Sequence, residues 1–205
     1  MAKIKPTDSV FINCPFDPEY WPLFEVAIFT VIACGFVPRS SLEEKDSGAN
    51  RLEKIVRLIS SSRYGIHDLS RIQLDSDGYP RFNMPFEFGI DWTFRHYGED
   101  KHRKKRLLLL EKNQHTLKRY LSDIAGQDPV HHGDSLEVLL KVIRDFLVAS
   151  SQRQNVPGHL AIGQQFSLFT GSLPDICADA GLDRNDLLYT DYVLIARTWL
   201  TENTR

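Results

Sequence analysis

Arg106-Leu107-Leu108-Leu109-Leu110-Glu111 is four leucines held between two charges. The run is too short for a buried helix and has no polar alternation, so it reads as a parallel strand covered on both faces. Such a strand needs like neighbours, and the chain supplies them. Upstream, Tyr64-Gly65-Ile66-His67-Asp68-Leu69 reads as a third strand, Phe36-Val37-Pro38-Arg39 as a second, and Ser9-Val10-Phe11-Ile12-Asn13-Cys14 as a first. Pro38 argues for an edge position, because proline cannot donate to a ladder. Downstream, Val130-His131 marks a weak fifth strand.

Helical patterns separate these runs. Pro22 opens a helix that Gly35 closes, and Asn50 to Ser62 carries Leu52, Ile55, Val56, Leu58 and Ile59 on one face. From Met84 to Tyr97, Phe86, Ile90, Phe94 and Tyr97 recur at helical spacing and are expected to face the core. A short helix over Thr116 to Ile124 and a longer one over Ser135 to Val148, capped by Asp134, complete the alternation. Strand and helix alternate about five times, which predicts an α/β fold. The expected form is a flavodoxin-like, doubly wound parallel five-stranded sheet, order 2-1-3-4-5, with a C-terminal helical extension. The α/β domain is expected over 1–150. After the polar linker Ser150 to Pro157, residues 151–205 form the extension, with helices over Leu160–Phe169, Leu173–Ala180 and Asp183–Leu200. The tail is too small to bury a core alone. It must dock on the α/β domain or on another subunit, and a homo-oligomer is expected.

Net charge is -2, so no global field draws the chain to nucleic acid or to an anionic membrane. The basic run Lys101-His102-Arg103-Lys104-Lys105-Arg106 reads as a solvated loop at the amino edge of the sheet. The apolar stretch Val26 to Cys34 is too short to span a bilayer. Cys14, Cys34 and Cys177 are odd in number and lack metal-ligand spacing. They suit reduced thiols of a cytoplasmic protein. His131-His132 with Asp134 matches no standard metal site. There is no Walker motif and no dinucleotide-binding glycine fingerprint.

The residues that can carry chemistry lie where strand ends meet helix starts, the ligand-binding edge of an open α/β sheet. Asp68 ends the third strand there. Asn83-Met84-Pro85-Phe86-Glu87-Phe88-Gly89 opens the next helix, with Asn83 as the expected cap and Glu87 in the first turn. The helix dipole would favour the ionised carboxylate, the form that a nucleophile or an oxocarbenium stabiliser needs. Gly89 would let a ligand or a neighbouring backbone approach closely. The connection of about 14 residues between them, with Asp77-Gly78 as its turn, is long for such a loop and a candidate lid. Glu87 and Asp68 are therefore the catalytic candidates. Asn13 and Phe16 in the first loop, Arg71 and Arg81 beside the lid, Arg39 near the same edge and Asn83 at the cap are the substrate-binding candidates.

Strand-Asp68-Leu69-Ser70, a variable loop and Asn83-x-x-Phe86-Glu87-x-Gly89, with the opening Val10-Phe11-Ile12-Asn13 strand, resemble a known pattern. It is shared by the nucleoside 2-deoxyribosyltransferase-like proteins and the TIR-like bacterial proteins. The resemblance covers roughly residues 8 to 148. It implies that Glu87 corresponds to the catalytic glutamate and Asp68 to a substrate-contacting acid. Both families break N-glycosidic bonds, in deoxynucleosides or in NAD+, and several TIR-like members serve in bacterial anti-phage defence. The expected partner is a small nucleotide or nucleoside, with NAD+ a substrate rather than a cofactor and no metal or cofactor required. The alternative is a non-catalytic nucleotide sensor or assembly module.

Overall fold

The computed structural model describes residues 5–71, 81–124 and 126–203. The Asp77-Gly78 turn and most of the expected lid lie outside the described residues. In chain order the elements are β1 (Ser9–Asn13), α1 (Trp21–Ala33), β2 (Val37–Arg39), α2 (Arg51–Ser60), β3 (Tyr64–Asp68), α3 (Asn83–Tyr97) and α4 (Asp100–Arg103). There follow β4 (Arg106–Glu111), α5 (Leu117–Tyr120), β5 (Val130–His131), α6 (Leu136–Ser151), α7 (His159–Asp179) and α8 (Tyr189–Asn203). All four strand pairings are parallel, in the order β2-β1-β3-β4-β5. This is the flavodoxin-like sheet, with β2 and its proline at one edge.

Alternation along the strands divides the core. Val10, Ile12, Tyr64, Ile66, Leu108 and Leu110 pack with α1 and α6 on one face. On the other, Phe11 meets Ile55, Leu58 and Ile59 of α2, with Ile90 and Phe94 of α3 against them. Helix α1 is buried on every side from Leu23 to Ile32, because α7 and α8 cover the surface that the sheet does not. Ile162, Phe169 and Leu173 of α7 and Tyr192, Ala196 and Leu200 of α8 belong to the same apolar cluster as α1. The extension is thus a third layer on the α/β sheet. No helix among the described residues is long and apolar enough to cross a membrane.

Local expectations fail in three places. Residues 159–179 form one helix that runs through Pro174. Leu173 and Cys177 on either side are fully buried, so packing holds the turn that the missing N–H weakens. Asp183 caps a short 3-10 turn (Arg184–Asp186) rather than α8. Ser135, whose hydroxyl accepts from the Val138 N–H at 3.3 Å, caps α6. Asp134 instead sits in the left-handed region at φ 57°.

Beneath β3 runs a buried polar chain. Asn13 Nδ2 donates to His67 Nδ1 at 3.1 Å, His67 Nε2 donates to Asp91 Oδ2 at 3.0 Å, and Asp91 Oδ1 lies 3.0 Å from Lys105 Nζ. Lys105 Nζ also donates to the Ile59 carbonyl at 2.8 Å and to that of Ser62. His67, Asp91 and Lys105 are at most 1% exposed, so each depends on the next for its polar contacts. The basic run is therefore not all solvated loop, since Lys105 is a core residue.

Gly65 is the vacancy that admits this chain. A Cβ there would stand 2.7 Å from His67 Nε2 and closer still to the Asp91 carboxylate. Gly89 differs, because a Cβ there would meet nothing within 4 Å. No neighbouring backbone among the described residues thus approaches Gly89 closely. Gly65→Ala should destabilise the protein by about 1–3 kcal/mol. Gly89→Ala, in an open helical position, should stabilise it by up to about 1 kcal/mol. Urea unfolding of both variants checks the contrast; equal effects would contradict it.

Candidate functional site

The carboxyl ends of β1, β3 and β4 bring three buried acids to one edge: Asp68, Glu87 and Glu111. Two are committed to the chain itself. Asp68 Oδ1 accepts from the Ser70 N–H at 2.9 Å and from the Ser70 hydroxyl. Its Oδ2 accepts from the Tyr20 hydroxyl and lies 3.0 Å from His132 Nε2. Burial pushes the Asp68 carboxyl up, but the hydrogen bonds from His132, Ser70 and Tyr20 outweigh it and hold the carboxyl below its ordinary value. Glu111 accepts from the His115 and Leu117 N–H groups at 2.7 and 2.9 Å.

Glu87 is different. It is 7% exposed, and burial pushes its carboxyl up to about 7, with only the positive charge of Arg51 pulling it down. Helix α3 begins at Asn83 with Phe82 in the cap position, so Asn83 is not the cap and Glu87 falls in the second turn. The helix dipole, which acts within the first turn, does not offset the burial. At neutral pH Glu87 is therefore divided between acid and carboxylate, where the sequence had pointed to the carboxylate alone. The buried stripe of α3 is Met84, Glu87, Phe88 and Asp91. The expected face is split: Ile90 and Phe94 pack against α2, whereas Phe86 and Tyr97 are exposed, and all four with Val56 line an apolar groove of about 780 Å³.

Asn13 ties this helix to the sheet, since its Nδ2 also donates to the Met84 carbonyl at 2.9 Å. Its side chain is spent on that tether and on His67. Phe16 packs edge-on against Phe24, ring centroids 5.4 Å apart. Arg71 and Arg81 reach the first loop, at 3.5 and 3.7 Å from the two oxygens of Asp17, and Arg71 also meets Glu19 at 3.0 Å. Arg39 is held by Glu43, with Nε 2.9 Å from Oε2. Asn83 is exposed at the start of α3.

Two other nucleophiles fail on geometry. Ser70 Oγ lies 2.9 Å from His132 Nε2 beside Asp68, which superficially matches a serine triad. Yet His132 Nδ1 accepts from the Asp134 N–H at 3.1 Å. The ring proton therefore sits on Nε2, leaving no base for the serine. Burial, with the carboxylates of Asp68, Glu87 and Asp17, pushes the Cys14 thiol up and keeps it protonated. The Tyr20–Asp68–Ser70–His132 cluster was invisible as a unit in the sequence. The one signal was the spacing of Asp68 and Ser70, which suits a side chain capping the N–H two residues on. No group of His, Cys, Asp and Glu suited to a metal ion occurs among the described residues.

No family model, curated protein or solved structure matches the chain. The site is therefore read from its own geometry.

A carboxyl raised above its unfolded value of about 4.5 makes the fold bind a proton more tightly, so its stabilising effect is full below pH 4.5 and is lost as pH rises through about 7. Glu87→Gln removes that penalty. The variant should match wild type near pH 4.5 and exceed it by about 1–3 kcal/mol at pH 8. Urea midpoints at the two pH values check this; a variant less stable than wild type at pH 8 would refute the buried, poorly compensated carboxyl.

Proposed function

We propose that the protein cleaves or transfers an N-glycosidic bond of a nucleoside or nucleotide, with Glu87 as the catalytic residue. One observation carries the reading: of the three acids at the carboxyl edge, Glu87 alone accepts no hydrogen bond among the described residues, and burial pushes its carboxyl up. A low-dielectric carboxylate interacts strongly with developing positive charge. As the base departs, the anomeric carbon gains oxocarbenium character, and the Glu87 carboxylate bonds to it or stabilises it. Water then collects the sugar in hydrolysis, or a second base does so in transfer.

With Glu87 committed to the anomeric carbon as carboxylate, the departing base of a deoxynucleoside must take its proton from water or from a second group. Nicotinamide leaves NAD+ neutral, so there the carboxylate alone is needed, and the cationic ring itself favours that form. Arg71 and Arg81 at the rim are placed to exchange Asp17 for substrate phosphate. Asp68, with both oxygens engaged, acts by fixing the loop after β3 rather than by touching the sugar. The buried free cysteines suit a reducing compartment such as the cytoplasm.

Mass-spectrometric product analysis with NAD+ and a deoxynucleoside mixture tests the reading. Wild type should release nicotinamide or free base, and Glu87→Gln should lose at least about 1000-fold in kcat with its thermal stability retained. With NAD+ the rate should rise with pH through about 7 and then level, because the carboxylate is the working form. Turnover retained in Glu87→Gln discards the assignment. Nucleotide-dependent thermal stabilisation without product would make the protein a sensor.

A further inference from the structure

The opposite, amino edge of the sheet holds a second cavity, of about 710 Å³, between the end of α2 and the α4–β4 junction. Its lining includes Arg63, Lys101, Lys104 and Lys105 and no acid. Lys105 is held by Asp91, and Lys101 reaches Glu99 at 2.9 Å in an exposed pair that solvent screens. Arg63 and Lys104 bring positive charge without an ion pair among the described residues.

His102 lines the same cavity and is 7% exposed. The Phe94 ring, with its centroid 4.7 Å away, holds the imidazole in place. Neither ring nitrogen has a well-formed hydrogen bond among the described residues, the Ser60 backbone making only a weak approach to the ring. A buried, unsatisfied polar atom costs about 1–3 kcal/mol, and a folded protein seldom carries two on one ring unless something outside the chain meets them. The volume lies within the range of small-molecule sites. A planar guanidinium with an ammonium and an imidazole is a set suited to the tetrahedral oxygens of phosphate.

We propose that this amino-edge cavity binds the phosphate of a small phosphorylated molecule, with Arg63 and Lys104 gripping it and His102 as the buried hydrogen-bond partner. Burial first, with the charges of Lys101 and Lys105, lowers the proton affinity of His102 despite the opposing pull of Glu99 and the Ser60 backbone. A bound dianion reverses that balance and lets both ring nitrogens donate. The site is distinct from Glu87 and independent of the glycosidic reading.

Pyrophosphate is the probe, titrated by calorimetry at constant ionic strength in KCl. Histidine-ring 15N shifts are followed in parallel and assigned with His102→Gln. Saturable binding is expected, with a large shift at His102 among the seven histidines. The double variant Arg63→Ser/Lys104→Ser, at the cavity rim, should weaken Kd at least tenfold, as should His102→Gln. No saturable binding, an unmoved His102, or equal affinity in the rim variant overturns the proposal. Affinity lost in Arg71→Ser/Arg81→Ser instead would place the anion at the carboxyl edge and overturn it as well.

Discussion

The fold rests on an ion pair that cannot be relaxed by water. Lys105 enters β4 from the amino edge and meets Asp91 of α3 under β3, where both side chains are shut off from solvent. A buried pair of this kind has little net advantage over apolar packing, yet losing one partner strands the other, at about 3–5 kcal/mol. The constraint propagates. Asp91 must accept from His67, His67 in its Nε2-protonated form must accept from Asn13, and Asn13 holds the Met84 carbonyl. Through four side chains, a lysine at one edge of the sheet fixes the start of the helix that bears Glu87 at the other.

That chain explains features that look unfavourable in isolation. Gly65 sits inside a central strand, where glycine packs nothing and costs backbone entropy, because Asp91 and His67 occupy the space that a side chain would fill. Helix α3 buries two acids on its inner stripe and turns Phe86 and Tyr97 outward. Counting apolar residues finds Ile90 and Phe94, which pack on α2, but not the buried stripe of Met84, Glu87, Phe88 and Asp91, where the polar network sits.

The parallel sheet and its order were legible because β1 and β4 hold apolar runs, and β3 a short buried strand ending in an acid, in alternation with helical patterns. That the tail must dock was legible from its size, but not where; the answer lies in α1, which from Leu23 to Ile32 has one acid and no polar face and is covered by α7 and α8. Glu87 was found by its place at a strand–helix edge. Its titration was not, since that depends on a one-turn shift of the helix start and on burial. The partners of Asp68 come from Tyr20 and His132, 48 and 64 positions away in sequence, and no local pattern links them. His102 and Lys105 hid inside a basic run whose average character is solvent-facing.

The two acids of α3 lie one turn apart and meet opposite fates. Asp91 is ion-paired and hydrogen-bonded, so its charge belongs to the fold. Glu87, one turn nearer the carboxyl edge, is buried as well, and Arg51 is the one charge among the described residues that lowers its proton affinity. A carboxylate kept so poorly compensated destabilises the protein at neutral pH. Arg39 shows that this sequence can pair an interior-facing charge when it must, with Glu43 set one helical turn away. Among the described residues Glu87 has no such partner, a cost the rest of the core must offset. A carboxyl raised to about 7 by desolvation is poised for acid–base or nucleophilic chemistry, and the proposed role of Glu87 rests on that cost.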